Sequence, residues 1–219
     1  MSRKIELNRE IIAATALALA DREGFEAVSM RRVAGELNVG TMSLYYYVKT
    51  KDDLVAAMDD ALMSELILAA LPKSWKLAMI QIATNTHALL LRHPWALVSM
   101  QSAPPGLNAM RHMEQCLKAL EATSMTAGQK LRLLAMVDDF VFGHALRASA
   151  GQTPMDIEFA TAQLATGNFP CLAEVFARGP IETGKSRFHT GLRLLLGQFD
   201  GKSPRPRPSR ARPSAKRRK

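Results

Sequence analysis

Ser29–Lys51, SMRRVAGELNVGTMSLYYYVKTK, is the stretch whose reading decides the fold. Met30–Leu37 places Val33, Ala34 and Leu37 on one face, the spacing of a short amphipathic helix. Asn38-Val39-Gly40 interrupts it, and Asn or Gly can take the left-handed backbone of a sharp turn. Thr41 is the expected N-cap of a second helix over Met42–Val48. Two short helices joined by a tight turn make a helix-turn-helix, whose second helix enters the DNA major groove.

On that second helix Leu44 and Val48 lie four apart and face inward. Thr41, Met42, Ser43 and Tyr47 then lie on or near the outward side and are the candidate DNA contacts. Hydroxyls can bond base edges or phosphates, and Met42 can touch a thymine methyl. Arg31, at the start of the preceding helix, is a candidate base or phosphate contact, and Arg32 a solvated charge. Lys49 and Lys51, which follow the motif, are expected to clamp phosphate.

Working outward, the pattern is helical throughout. Residues 1–7 form a polar arm carrying Arg3 and Lys4. Asn8 is the expected cap of a helix with Ile11, Ile12, Thr15, Ala16, Leu19 and Ala20 at helical spacing, stopping near Gly24. Ser29 should cap the next helix. A long helix starts at Lys51 and runs to about Leu71, ended by Pro72, with Asp52 and Asp53 favouring its positive end. Further helices are predicted over 75–91 (capped by Ser74), 94–102, 107–123, 126–150, 154–166 and 183–199. Residues 167–182 read as a loop, because Gly167, Pro170, Gly179 and Pro180 break the pattern. No alternating strand pattern of useful length occurs, so the class is all-α. The expected organisation is a helix-turn-helix domain over 1–50, a helical body over 51–200 and a disordered basic tail over 201–219.

Charge needs to be located before it is interpreted. The net charge is +9, but residues 201–219 hold nine of the 29 basic residues and no acid. The remaining 20 bases balance the 20 acids, so the body is neutral. DNA binding by the body rests on where charges sit. Hydrophobic residues make up 47% of the 219, enough for a packed core. No apolar run approaches the roughly 18 residues of a membrane span. MSRKIELNRE lacks the apolar core of a signal peptide. Cys116 and Cys171 make no framework and read as two buried thiols in a reducing compartment. A cytoplasmic protein with no membrane partner is expected.

Residues 24–54 resemble the DNA-binding domain of the TetR family of bacterial transcriptional regulators. The likeness lies in G-F-x-x-V-S-M-R-x-V-A-x-E-L-x-V and then S-L-Y-Y-Y-V-K-x-K-x-D-L. The later part looks like the tetracycline-repressor-like C-terminal domain, at L-L-L-R-H-P-W (89–95), P-P-G-L-N-A-M-R-H-M-E (104–114) and V-D-D-F-V-F-G (137–143). The resemblance implies three N-terminal helices for a double-stranded DNA operator and a helical ligand-binding body. It implies a homodimer through a four-helix bundle, here the helices near 127–150 and 183–199. It also places recognition contacts on Thr41, Met42, Ser43, Tyr45 and Tyr47, with Arg31 and Lys51 from the flanks.

The same resemblance puts the polar drug contacts of tetracycline repressors on Ile67, Ile82, Thr86, Met100 and Ala103. The metal-linked positions fall on Met100 and Arg147, neither a magnesium partner. Tetracycline–magnesium is therefore not the expected ligand. The candidate lining of Ile67, Ile82, Thr86, Met100, Met113, Met136, Asp139 and Phe140 implies a largely apolar small-molecule effector, and Met-rich walls adapt to varied ligands.

Other chemistries find little support. His87, His93, His112, His144 and His189 are scattered without the spacing of a zinc site, and no metal or cofactor is expected. Asp138 and Asp139 are adjacent, point in different directions and make no acid/base pair. No phosphate loop or nucleophile elbow occurs, so no enzyme is expected. The expected function is a ligand-responsive DNA-binding regulator acting as a repressor at a pseudo-palindromic operator. The competing reading is a helical ligand-binding or scaffold protein without specific DNA binding.

Overall fold

A computed structural model describes residues 6–102, 104–150, 157–178 and 184–199. Arg3, Lys4, Ala103, Pro154, Thr183 and the tail from Gly201 lie outside the described residues. Within them the chain is all-α, with eleven α-helices, one short 3₁₀ turn and no strand.

The first three helices follow from local capping. α1 (Arg9–Glu23) starts where Asn8 Oδ1 accepts from the Ile11 amide at 2.8 Å, and ends at Gly24, with φ at 89°. After a 3₁₀ turn at Phe25–Ala27, Ser29 Oγ accepts from the Arg32 amide and opens α2 (Met30–Glu36). Asn38, at φ 53°, takes the left-handed turn. α3 is shorter than the sequence predicts. It spans only Thr41–Leu44, and Tyr45–Tyr47 continue as a turn in which the Tyr47 and Val48 amides both return to the Leu44 carbonyl. Its N-cap is Gly40 rather than Thr41, so capping does not occupy the Thr41 hydroxyl.

α4 (Lys51–Glu65) is capped by Thr50, whose hydroxyl accepts from the Asp53 amide at 3.0 Å. It stops six residues before the expected end at Leu71. Pro72 is not the cause. Gln115 Nε2 donates to the Leu66 carbonyl at 2.7 Å and its Oε1 accepts from the Leu68 amide at 3.0 Å. These bonds replace the partners a further helical turn would have supplied.

The body comprises α5 (Trp75–Arg92), α6 (Ala96–Ser102), α7 (Leu107–Ala119), α8 (Ala127–Ser149), α9 (Ile157–Ala165), α10 (Pro170–Ala177) and α11 (Gly184–Gly197). Thr126 and Gln129 form a capping box at the start of α8. Ser74, by contrast, makes no side-chain cap bond to α5. The predicted loop over 167–182 contains α10. Pro170 sits in that helix's first turn, where a missing N–H costs nothing. Cys116 is buried, but Cys171, on α10, is exposed, against the expectation of two buried thiols.

Two cores result. Ile12, Leu19, Val28, Val33, Leu44 and Val48 pack into the first, and Met79, Leu90, Leu120, Leu133, Phe188 and Leu192 into the second. α4 serves both, through Leu54 and Met58 in the first and Leu62 in the second. Fully burying such side chains contributes about 1.5–3 kcal/mol each, so α4 is held firmly at both ends. Among the described residues, no helix is long and apolar enough to cross a membrane.

Candidate functional site

The outward face of α2 and α3 carries a compact set of polar and aromatic groups. Met42 is 74% exposed and Tyr46 82%, while Tyr45 and Tyr47 are less so. Thr41 and Ser43 are half-buried at the start of α3. Arg31 is exposed and has no ion-pair partner among the described residues, whereas Arg32 pairs with Glu23 at 2.6 Å. The Glu23 carboxylate, which also meets Arg22, is held below the usual range by these guanidinium groups. Arg31 is therefore the basic group of α2 available to a ligand.

The far end of this face is held by α1 and α4. Arg9 donates to the Tyr47 carbonyl at 3.1 Å and to Asp53 Oδ1 at 2.5 Å. Asp53 Oδ2 accepts from the Lys49 amide at 2.9 Å. The Arg9 bond and the Lys49 amide keep the Asp53 carboxyl below its ordinary pKa. Lys49 is exposed, but its ammonium is turned back onto the chain rather than left free for phosphate. Its ammonium donates to the Tyr45 carbonyl at 2.8 Å and the Tyr46 carbonyl at 3.3 Å, closing the end of the turn. Lys51 Nζ lies 5.9 Å from the Phe25 ring centroid, in cation–π range.

Behind α4 lies a cavity of about 260 Å³. Its walls come from α4 (Asp59, Asp60, Met63), α5 (Thr86, Leu89), α6 (Met100), α7 and its approach (Pro104, Gly106, Ala109, His112) and α8 (Asp138, Phe142). A narrow extension shares Thr86, His112 and Asp138 and reaches Met79, Ile82, Met113 and Cys116. Thr86 Oγ1 donates to the Ile82 carbonyl one turn back, leaving its lone pairs for a ligand. Gln115 Nε2 also donates to His112 Nδ1 at 3.0 Å, which puts the imidazole proton on Nε2. Burial lowers the His112 pKa. Burial and then Asp138 push the Cys116 thiol up to about 12, so it is inert.

Four candidate lining residues lie elsewhere. Ile67, beyond the end of α4, and Met136 are exposed, and Asp139 is on the outer side of α8. Phe140 turns toward α11 and stacks on Phe188 with centroids 5.5 Å apart. Gly191 makes room for it, since a Cβ there would meet Phe140 Cζ at 2.8 Å.

Each of these surfaces has relatives among known proteins. Residues 12–58 match the family model for bacterial regulatory proteins of the tetR family. Residues 68–198 match that for the tetracyclin repressor-like C-terminal domain. The chain belongs to the TetR family of transcriptional regulators. It is 35% identical to the HTH-type transcriptional repressor DrrR1 of Streptomyces coeruleorubidus, over 91% of this chain and 82% of that protein. Among solved structures it resembles the Streptomyces coelicolor TetR family protein ActR in complex with actinorhodin. That likeness has a TM-score of 0.72 at 28% identity, covering 89% of this chain and 95% of that one. ActR in complex with (S)-DNPA gives a TM-score of 0.74 at 26% identity, covering 88% and 96%. As a TetR-family member the protein is a DNA-binding transcription factor and not an enzyme.

Several site residues are not among the sequence candidates. Tyr46 is the most exposed of the three tyrosines, and it lies two residues from both inward-facing Leu44 and Val48, which places it on the opposite face. Asp59, Asp60, His112 and Asp138 come from three helices, and only the tertiary packing brings them to one cavity. His87 and His144, 57 positions apart, share a hydrogen bond at 2.9 Å, with Phe188 stacked on His87. Burial, with the neighbouring His144 and His189, lowers His87 to about 4, so the pair is neutral at physiological pH. Among the described residues no group of three or more His, Cys, Asp or Glu could hold a metal ion.

Proposed function

We propose that this protein is a ligand-responsive repressor. It binds a pseudo-palindromic operator as a homodimer and leaves it when a small molecule fills the cavity behind α4. The observation that carries this reading is the position of α4. One end is packed into the core beneath the outward α2–α3 face, and the other forms a cavity wall. Three side chains, Asp59, Asp60 and Gln115, tie it to the remaining walls. Asp59 Oδ1 accepts from Ser99 Oγ of α6 at 2.7 Å, and Asp60 Oδ1 accepts from the Asn108 amide of α7 at 2.7 Å. Gln115 of α7 holds the α4 end as described. A ligand that repositions α6 or α7 pulls on α4 and changes the separation of the two DNA-reading heads. It does so only by binding the released state more tightly than the operator-bound one.

Arg31, Thr41, Met42, Ser43, Tyr45 and Tyr47 make the operator contacts, with Tyr46 and Lys51 on phosphate. Ile82, Thr86, Met100 and Met113 contact the effector. DrrR1 is described as a repressor and ActR binds actinorhodin, and the same pair of properties is inferred here. The dimer forms through α8 and α11, where Leu131, Leu146 and Leu194 stay more than half exposed in the single chain. Leu172 and Val175 of α10 are likewise exposed and would be covered by a second subunit. The protein works in the cytoplasm, where its DNA lies.

A gel-shift with the DNA upstream of the protein's own gene tests this reading. A specific complex of two protomers per site, released by a cavity ligand, is expected. Absence of a specific complex with that DNA and with a selected operator library would overturn it in favour of a helical ligand-binding protein. Leu194→Glu should yield monomers in light scattering and lose the specific complex.

A further inference from the structure

The cavity has a charge pattern that its apolar walls do not explain. Asp59, Asp60 and Asp138 line it, and among the described lining residues there is no lysine or arginine. Asp60 is already committed. Its carboxylate accepts from the Asn108 amide at 2.7 Å and from Asn108 Nδ2 at 2.9 Å, capping α7. Asp59 is only half satisfied. The residue is 7% exposed, Ser99 occupies Oδ1, and Oδ2 is closed off from water with no hydrogen-bond partner. An unpaired buried charged oxygen is costly and calls for an explanation, an approaching positive charge being one.

Asp138 faces the same cavity from α8. It is exposed by surface area, yet protein atoms crowd its carboxylate, and this desolvation together with Asp139 raises it to about 6. Burial raises Asp59 to about 6 as well. Both are largely ionised at neutral pH and lack a counter-charge within the cavity. His112 does not supply one, since its Nδ1 is an acceptor for Gln115 and burial keeps it neutral. The apolar surface includes Met63, Leu66, Leu89, Met100 and Phe142.

We infer that the effector is an amphiphilic cation, an ammonium-bearing molecule whose apolar body rests on Met63, Leu89, Met100 and Phe142, whose nitrogen is met by the Asp138 carboxylate, and whose charge is balanced by the buried Asp59 carboxylate in the same wall. The inference rests on the reading of this cavity as the effector site and adds the sign of the effector's charge. Transfer of the cation from water to the cavity is compensated by two anions already desolvated by the fold. An anionic ligand of the same shape would meet three carboxylates and no cation, which is how the site rejects it.

Calorimetry on the full-length protein with four probes tests this. The probes are 1-naphthylmethylamine, its neutral counterpart 1-naphthylmethanol, the anion 1-naphthoate, and magnesium chloride alone. The amine should bind at least about tenfold more tightly than the alcohol, a difference of about 1.4 kcal/mol, with naphthoate weakest and magnesium unbound. Asp138→Asn and Asp59→Asn should each reduce the amine's advantage. Alcohol or naphthoate binding as tightly as the amine, an advantage surviving both substitutions, or binding of magnesium in place of the amine would overturn the inference. Met100→Trp, which fills the cavity, separates the two levels of failure. If the alcohol or naphthoate binds best and Met100→Trp blocks it, the effector site stands and only the cationic class falls. If no organic probe binds, or Met100→Trp blocks none, the cavity is not the effector site and both readings fall.

Discussion

Trp95 Nε1 donates to Asp21 Oδ1 at 2.8 Å, joining the start of the body to the last turn of α1. The same oxygen accepts from His93 Nδ1 at 2.7 Å. Trp95 also stacks on Phe25, with centroids 5.6 Å apart and planes 5° from parallel, and packs against both cores. The DNA-reading head is thus joined to the body at a second point besides α4. Asp21→Ala leaves a half-buried indole N–H and an imidazole without their acceptor. It should cost about 1–2 kcal/mol of stability in denaturant titrations. A loss too small to resolve would mean that water replaces the carboxylate and that α4 and the Trp95–Phe25 stack carry the coupling.

Arg31 and Arg32 are neighbours with different fates, and operator binding should separate them. Arg31→Ala should weaken specific binding by about 1–3 kcal/mol and flatten the salt dependence by about one counterion. Arg32→Ala should change affinity little, because Glu23 already neutralises that charge. Lys49→Met should leave the salt slope unchanged and lower the melting temperature, since its ammonium holds the Tyr45 and Tyr46 carbonyls. Anisotropy titrations at several salt concentrations read all three, and a salt slope that drops with Lys49→Met would restore its role as a phosphate clamp.

The head was legible because its determinants are local. Asn8, Gly24, Ser29 and Asn38 act on the backbone within four residues of themselves, and each does in the structure what its residue type predicts. The end of α4 was not legible, because Gln115, 49 positions away from Leu66, determines it. α10 was missed because Pro170 reads as a breaker unless its place in the first turn is known. The α8 wall failed through angle. Asp138 and Phe142, four apart, face the cavity, while Met136 and Phe140, also four apart, lie on another stripe. A two-residue offset on a helix is a rotation of about 200°, enough to exchange inside for outside.

Gly106 tests whether the α4–α7 bond transmits the signal. Its φ of −84° is open to any residue, so conformational freedom is not why glycine stands there. The reason is the Asp60 carboxylate, whose Cγ would lie 2.6 Å from a Cβ at this position. Asp60 cannot retreat without releasing Asn108, and with it the cap of α7. Gly106→Ala should therefore cost about 1–2 kcal/mol and weaken ligand-induced release more than operator binding itself. A variant with unaltered melting and release would place the coupling in Asp59–Ser99 or in Gln115 instead.

Asp59 gives the protein a pH signature of definite sign. Burial raises its pKa from 3.8 to about 6, so the folded state holds this proton more tightly than the unfolded one. The ionised carboxylate therefore destabilises the fold, fully above about pH 6 and not at all below about pH 4. The shift corresponds to about 3 kcal/mol at most. Asp59→Asn removes the charge and keeps an oxygen for Ser99, but places an unpartnered amide nitrogen where Oδ2 was, at a cost of about 1 kcal/mol. The net expectation is a gain of about 1–2 kcal/mol at pH 8 that turns into a small loss by pH 4. Glu23 and Asp53, held low by Arg22, Arg32 and Arg9, act in the opposite direction on acidification. They are present in both proteins and cancel in the difference. Denaturant titrations of the two proteins from pH 4 to 8 measure it, and a difference independent of pH would show that Asp59 titrates alike in the folded and unfolded states, so that the fold does not desolvate its charge. An ammonium ligand would then find at Asp59 a charge already solvated, with little left to gain from pairing with it.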